Sequence, residues 1–255
     1  MKISVITICY NNENEIISTV RSVINQTYTE IEYIIVDGHS KDKTLERING
    51  FKDKISKIIS EPDSGIYDAI NKGIKYATGD IVGLIHAGDE LYDNNVITKI
   101  AHHFSNCNID AMYGHSKIYS KDGSRLIRIN KSPEYRKNLF RIGWFPSHQS
   151  FYAKRELFDR LGYYKKCYSI AGDYELLFRF IYVNKIKVKL LNEFVVKFKY
   201  GGESTNIKNI LSQNSECTQA WKDNDLEIPF YTIPLKLLRK INQFILAFKA
   251  QQPKE

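Results

Sequence analysis

A chain of 255 residues with 43% apolar and 26% charged content has the make-up of an ordinary globular domain and excludes a disordered or low-complexity protein. Its formal charge of +8 implies anionic partners. Cys9, Cys107, Cys167 and Cys217 are too far apart for paired metal or redox spacing. No run approaches the roughly 18 apolar residues of a membrane span. The apolar run after Lys2 is too short for a secretory signal, so a cytoplasmic protein is expected.

In chain order, the pattern predicts strands at 3–8, 31–36, 57–59 and 81–85, alternating with helices at 15–25, after Asp42, and at 67–77. That alternation predicts a parallel sheet with crossover helices, and the wholly apolar strands fit burial on both faces. Beyond residue 100 the pattern is mixed, with strands predicted at 111–119, 125–129 and 187–200 and helices at 134–141 and 174–182. Near the end Pro234 fits a helix start. Leu235, Leu238, Ile241, Ile245 and Phe248 then recur at three- and four-residue intervals, interspersed with Lys236, Arg239, Lys240 and Lys249. This predicts an amphipathic basic helix. Two readings fit it: residues 235–249 lie on an anionic membrane surface, or the helix folds back on the domain or pairs with a second copy as a homo-oligomer.

Ligands of open parallel sheets bind beyond the carboxyl ends of the strands. Here those ends carry Tyr10-Asn11-Asn12-Glu13-Asn14-Glu15, Asp37-Gly38-His39-Ser40, Glu61-Pro62-Asp63-Ser64-Gly65 and His86-Ala87-Gly88-Asp89, an acidic, amide-rich rim. Neither GxGxxG nor GxxxxGK[ST] occurs, which argues against a dinucleotide fold and a P-loop.

The ordered set SVITICYNNENEIISTVRSVINQT, EYIIVDGHSKDKT and SEPDSGIYDAINKGIKYATGDIVGLIHAGDE resembles family 2 inverting glycosyltransferases of the bacterial surface-polysaccharide type, over residues 1 to about 202. The resemblance implies the α/β GT-A fold, a Rossmann-like, mostly parallel sheet flanked by helices, with a mixed C-terminal half and a C-terminal amphipathic helix. The expected domains are 1–204, divided into a nucleotide-sugar half at 1–92 and an acceptor half at 93–204, and a helical extension at 205–255.

By the same resemblance, Asp37 bonds the nucleobase, with Thr7, Tyr10 and Glu15 lining its pocket. Asp63 lies near base or ribose, Asn71 and Lys72 near the diphosphate, and His148 with Gln149 beside the donor or acceptor. Asp89 is the expected ligand of a divalent cation, Mn²⁺ or Mg²⁺, which stabilises the departing nucleoside diphosphate. Gly88 departs from the family, which commonly has a carboxylate there, and His86 is either structural or a ligand for a softer ion. Asp173, in AGDYELLFRF, falls where the general base is usually placed, with Glu175 as fallback; as a plain helix residue it would cap the turn. Tyr200 to Ser204 resembles a loop that closes over the donor.

The implied activity is transfer from a nucleotide-diphosphate sugar, UDP-linked, to a hydroxyl of a glycan or lipid-linked acceptor in surface polysaccharide biosynthesis. The alternative is an inactive nucleotide- or glycan-binding relative. A nucleotidyltransferase would carry a Gly-rich basic loop where NNENE stands, and no nucleic-acid motif accompanies the positive charge, so no nucleic-acid partner is expected.

Overall fold

The computed structural model describes residues 1–201 and 209–251. Strand β1 (Ile3–Cys9) is buried at all seven residues. Ile6 and Ile8 pack into one apolar layer, Val5 and Cys9 into another, so helices are needed on both faces. Parallel to β1 run β2 (Ile31–Asp37), β3 (Lys57–Ser60) and β4 (Ile81–Leu84). The crossovers are α1 (Ile16–Ile24), α2 (Thr44–Asn49) and α3 (Ile66–Tyr76). Helix α3 buries Ala69, Ile70 and Ile74 against the layer of Ile6 and Val36, while α1 buries Ile16, Val20 and Val23 on the other face. Each such fully buried aliphatic side chain contributes roughly 1.5–3 kcal/mol.

The second half continues the same sheet. It comprises β5 (Glu90–Leu91), α4 (Val96–Asn106), β6 (Ala111–Tyr119), β7 (Leu126–Asn130), β8 (Phe151–Lys154), α5 (Glu156–Leu161), α6 (Gly172–Leu177), β9 (Val188–Lys199), α7 (Ile210–Lys222) and α8 (Thr232–Gln251). Among the described residues the strand order is β3-β2-β1-β4-β8-β6-β9-β5, with β7 on β6. Strand β8 lies antiparallel to β4, Gly83 opposite Tyr152. The chain entering β8 therefore sits at the edge where β4 leaves, and His148 comes beside the β4 rim.

The predicted helix at 134–141 does not form. The chain stays irregular to residue 136 and then makes a turn and one 3₁₀ turn at Phe140–Ile142. Two anchors override the helical pattern: Tyr113 donates its hydroxyl to the Pro133 carbonyl at 2.7 Å, and Phe140 is fully buried among Trp144, Tyr174, Phe178 and Tyr182. The helix predicted at 174–182 is α6 followed by a π-helical stretch at Phe178–Val183, whose last turn is closed by Asn184 N–H donating to the Arg179 carbonyl. Such insertions re-aim a helix within a packed site.

Candidate functional site

The loops after β1 and β2 are laced together by side-chain-to-backbone bonds. Asn11 N–H donates to Ser40 Oγ at 2.9 Å, Lys41 N–H to Asn11 Oδ1 at 2.9 Å, Asn12 N–H to Thr44 Oγ1 at 2.7 Å and Glu13 N–H to Asp42 Oδ2 at 3.1 Å. These short polar residues replace a regular ladder, as Asn, Asp and Ser do in turns. Asp37, at the end of β2, is fully buried. Its carboxylate accepts from the Ser40 hydroxyl and amide and from Ser60 Oγ at 2.7 Å, so the Asx-turn geometry is present. Beside it the half-exposed ring of Tyr10 and the Asp63 carboxylate flank Gly38, where a Cβ would lie 3.3 Å from Tyr10 Cδ2 and 3.0 Å from Asp63 Oδ2. Lys72 joins this group, 2.7 Å from Asp63 and 3.0 Å from Glu61.

Two expected pocket residues are engaged by the protein itself. Thr7 is fully buried and its hydroxyl pairs with Tyr33 at 3.0 Å, inside the sheet rather than on its rim. Asn71 is committed at both ends of its amide, donating to the Tyr164 carbonyl at 2.8 Å and accepting from its N–H at 3.0 Å. It clamps α3 to the α5–α6 connection and keeps one amide N–H that these two bonds do not use.

After β4 the chain turns sharply, Asp89 N–H donating to the His86 carbonyl at 3.0 Å. Gly88 occupies the third position with φ +96°, the conformation glycine supplies there. Thr19 of α1 holds the turn, its hydroxyl accepting from Gly88 N–H at 3.0 Å and donating to the Asp89 carbonyl at 2.7 Å. A Cβ on Gly88 would stand 2.8 Å from Glu15 Oε2. The Glu15 carboxylate thus fills the space beside the turn that a side chain at 88 would need. Gly88→Ala is expected to cost about 1–3 kcal/mol and to displace Glu15, which urea unfolding of both proteins checks.

The Asp89 carboxylate accepts from Lys199 N–H at 3.3 Å and from the Gln149 amide. Burial, with the charge of Glu15 nearby, pushes it up to about 7, and those two bonds only partly oppose the rise. Gln149 is buried and its Oε1 has no hydrogen-bond partner among the described residues. A half-buried, electrostatically strained carboxylate with a second carboxylate beside it and an unpaired amide oxygen is a hard donor set, which fits Mg²⁺ or Mn²⁺. Among the described residues no group of three or more His, Cys, Asp and Glu gathers into a metal cage, so most ligands of such an ion would come from substrate and water.

Asp173 is the second residue of α6, and several groups fix that helix start. Glu216 of α7 accepts from the amides of Ser169, Ile170 and Ala171 at 2.7–3.0 Å, and Tyr67 Oη accepts from Gly172 N–H at 2.8 Å. Gly172 is required because a Cβ there would meet the Tyr67 ring at 2.7 Å. Asp173 Oδ1 accepts from Tyr174 N–H at 2.8 Å, and Oδ2 lies 3.0 Å from His148 Nδ1. Burial pushes this carboxyl up, but His148, the Tyr174 amide and Lys236 outweigh it and hold it below the usual carboxylate range. The fallback, Glu175, is fully buried and ion-paired with Arg179 and Lys165, which commits it to the core.

The loop expected to close over the donor runs into residues 202–204, which lie outside the described residues, as does the domain boundary at 204. The tail helix α8 docks on β7 and the Phe140 turn through Gln243 to Arg128, Thr232 to the Arg141 carbonyl and Arg239 to the Ile142 carbonyl. Lys236, expected on its basic face, is instead buried with Nζ near Cys217 and Asn214. Leu238, Ile241, Ile245 and Phe248 remain 47–67% exposed. Among the described residues no helix is long and apolar enough to cross a membrane.

This arrangement has known counterparts. Residues 4–162 match the model of Glycosyl transferase family 2. An uncharacterised glycosyltransferase of Mycobacterium tuberculosis is 31% identical over 186 residues, 69% of this chain and 68% of its own. A PGL/p-HBAD biosynthesis glycosyltransferase of Mycobacterium bovis is 27% identical over 191 residues, 73% of this chain and 72% of its own. Among solved structures, S. aureus TarS 1-349 with UDP-GlcNAc superposes with a TM-score of 0.70 at 19% identity, covering 100% of this chain and 76% of that one. A longer TarS chain is spanned to 43%. The mannosyltransferase PcManGT of Pyrobaculum calidifontis, with GDP-Man and Mn²⁺, gives 0.66 at 15% identity over 99% of this chain and 76% of its own. The sheet and its helices are the GT-A fold that the motifs implied, and the chain belongs to glycosyl transferase family 2.

Proposed function

We propose that the protein is an inverting transferase that moves a sugar from a UDP-sugar to a hydroxyl of a glycan or lipid-linked acceptor in surface polysaccharide assembly. The observation that carries this reading is a hydrogen-bonded series joining Asp173 to His148 at 3.0 Å and His148 to His86 at 3.1 Å. It ties the anionic carboxylate on α6 to the strand-end turn that holds Asp89. Asp37, Tyr10 and Asp63 form the nucleoside side of the rim, where Lys72 is paired with Asp63 and within reach of the diphosphate, and the Asp89–Glu15 pair forms the diphosphate side. A divalent cation held by Asp89 would supply Lewis-acid stabilisation of the leaving group. The acceptor oxygen attacks the anomeric carbon as its bond to the diphosphate breaks, and the acceptor proton passes to Asp173. The UDP-GlcNAc bound to TarS supports the donor class, the Mn²⁺ of PcManGT supports the cation, and the M. bovis relative's part in PGL/p-HBAD biosynthesis supports a glycoconjugate acceptor.

The exposed stripe of α8 supports seating on an anionic membrane surface at the inner face of the cytoplasmic membrane, where a lipid-linked acceptor would be met. The activity is tested by nucleoside diphosphate release from UDP-, GDP-, dTDP- and CDP-sugars with Mn²⁺. Turnover of a UDP-sugar is expected, whereas binding without turnover of any donor would favour the inactive relative. For the stripe, a Leu238→Ser, Ile241→Ser, Phe248→Ser variant is expected to stop sedimenting with anionic vesicles; unchanged sedimentation would refute the membrane role.

A further inference from the structure

The contact between two histidines has a definite proton arrangement. His86, at the end of β4, and His148, at the entry to β8, approach through Nε2 atoms 3.1 Å apart, with ring centroids at 5.2 Å. One of these nitrogens must donate and the other accept. His86 Nδ1 is buried and has no hydrogen-bond partner among the described residues. A buried N–H without an acceptor is rarer and costlier than a bare acceptor, so the His86 proton belongs on Nε2. With Nδ1 sealed from solvent and without a partner among the described residues, the His86 ring carries a single proton. His148 Nε2 must then be the acceptor, and its own proton sits on Nδ1, facing Asp173 Oδ2 at 3.0 Å.

From this we infer that His86 is a positioning residue: by donating to His148 it selects the Nδ1–H tautomer of that ring, which holds the Asp173 carboxylate turned toward the rim as an anion. Neither imidazole takes the acceptor's proton, which goes to Asp173. The antiparallel pairing of β4 with β8 makes the contact, since it sets a strand end and a strand start side by side.

The inference rests on Asp173 being the base, so its first test does not depend on turnover. The imidazole nitrogen NMR spectrum of the full chain, labelled with ¹⁵N-histidine and assigned with His86→Gln and His148→Gln, is expected to show neutral Nε2–H for His86 and neutral Nδ1–H for His148. His148 as the Nε2–H tautomer, or as imidazolium at neutral pH, would overturn it. In the transfer assay His86→Phe, which keeps a ring but cannot donate, is expected to lower kcat about 10- to 100-fold with donor KM unchanged. His86→Gln should recover most of that loss. Full kcat in His86→Phe would also overturn the inference. If instead Asp173→Asn transfers normally, the base assignment fails while the spectrum still reports the tautomers.

Discussion

Asp173→Asn is expected to lower kcat by about 10²- to 10⁴-fold while leaving nucleotide binding intact. The substitution keeps shape but keeps only one of the two bonds that orient the native carboxylate, from Tyr174 N–H or from His148 Nδ1–H, since its amide nitrogen cannot accept. It cannot take a proton at neutral pH. The native carboxyl lies below its usual range because His148 and its other partners outweigh burial. As the proposed base its active form is the anion, so at saturating cation, which keeps Asp89 ionised, the wild-type rate should fall only as pH drops through that depressed value. The same depression contributes folding stability above the unfolded-state pKa that is lost on acidification. Steady-state kinetics across pH, with nucleotide affinity measured in parallel, checks both parts. A variant that retained kcat would move the base elsewhere, and Glu175 is no substitute because it is sealed in the core.

The largest stability effect should come from Arg179→Met. Arg179 binds the fully buried Glu175 through two nitrogens at 2.9 and 3.0 Å, and its remaining donors satisfy the carbonyls of Leu161, Gly162 and Tyr163. Removing the guanidinium leaves a buried carboxylate and three backbone acceptors short of partners. Breaking one side of such a pair costs about 3–5 kcal/mol, and Lys165, 3.1 Å from Glu175, remains to hold the loss near the lower end. For a domain of this size the midpoint should fall by roughly 10 °C. Because the penalty is an unpaired charge, the double variant Glu175→Gln, Arg179→Met should recover part of it. Thermal and urea unfolding of the three proteins settle the point. A single-variant loss below about 1 kcal/mol would show that the pair does not bear on folding.

The parallel half of the fold was legible because strands buried on both faces read as apolar runs, and the rim was legible because polar clusters end those runs. The four-residue β8 was not. Its pairing with β4 is set by tertiary packing, with the Tyr152 ring crossing β4 where Gly83 carries no side chain; a Cβ there would fall 2.0 Å from it. The His86–His148 contact follows from that pairing and has no trace in either local stretch. Glu15 filling the space beside Gly88 was hidden for the same reason, since the two residues lie on separate loops. Thr7 matched a pocket motif, yet Tyr33 takes its hydroxyl inside the sheet, because a hydroxyl buried beside an available partner bonds it rather than stay unpaired.

In the proposed function this rim binds a nucleoside diphosphate with a divalent cation at Asp89. Thermal unfolding of the native chain and Asp89→Asn, each with UDP, GDP, dTDP or CDP and with or without Mn²⁺ or Mg²⁺, tests it most directly. At a hundred times its dissociation constant a ligand adds roughly 2.7 kcal/mol. UDP is expected to raise the native midpoint strongly only with the metal, and Asp89→Asn to abolish the metal's contribution. A midpoint that no nucleotide moves, with or without metal, would contradict it.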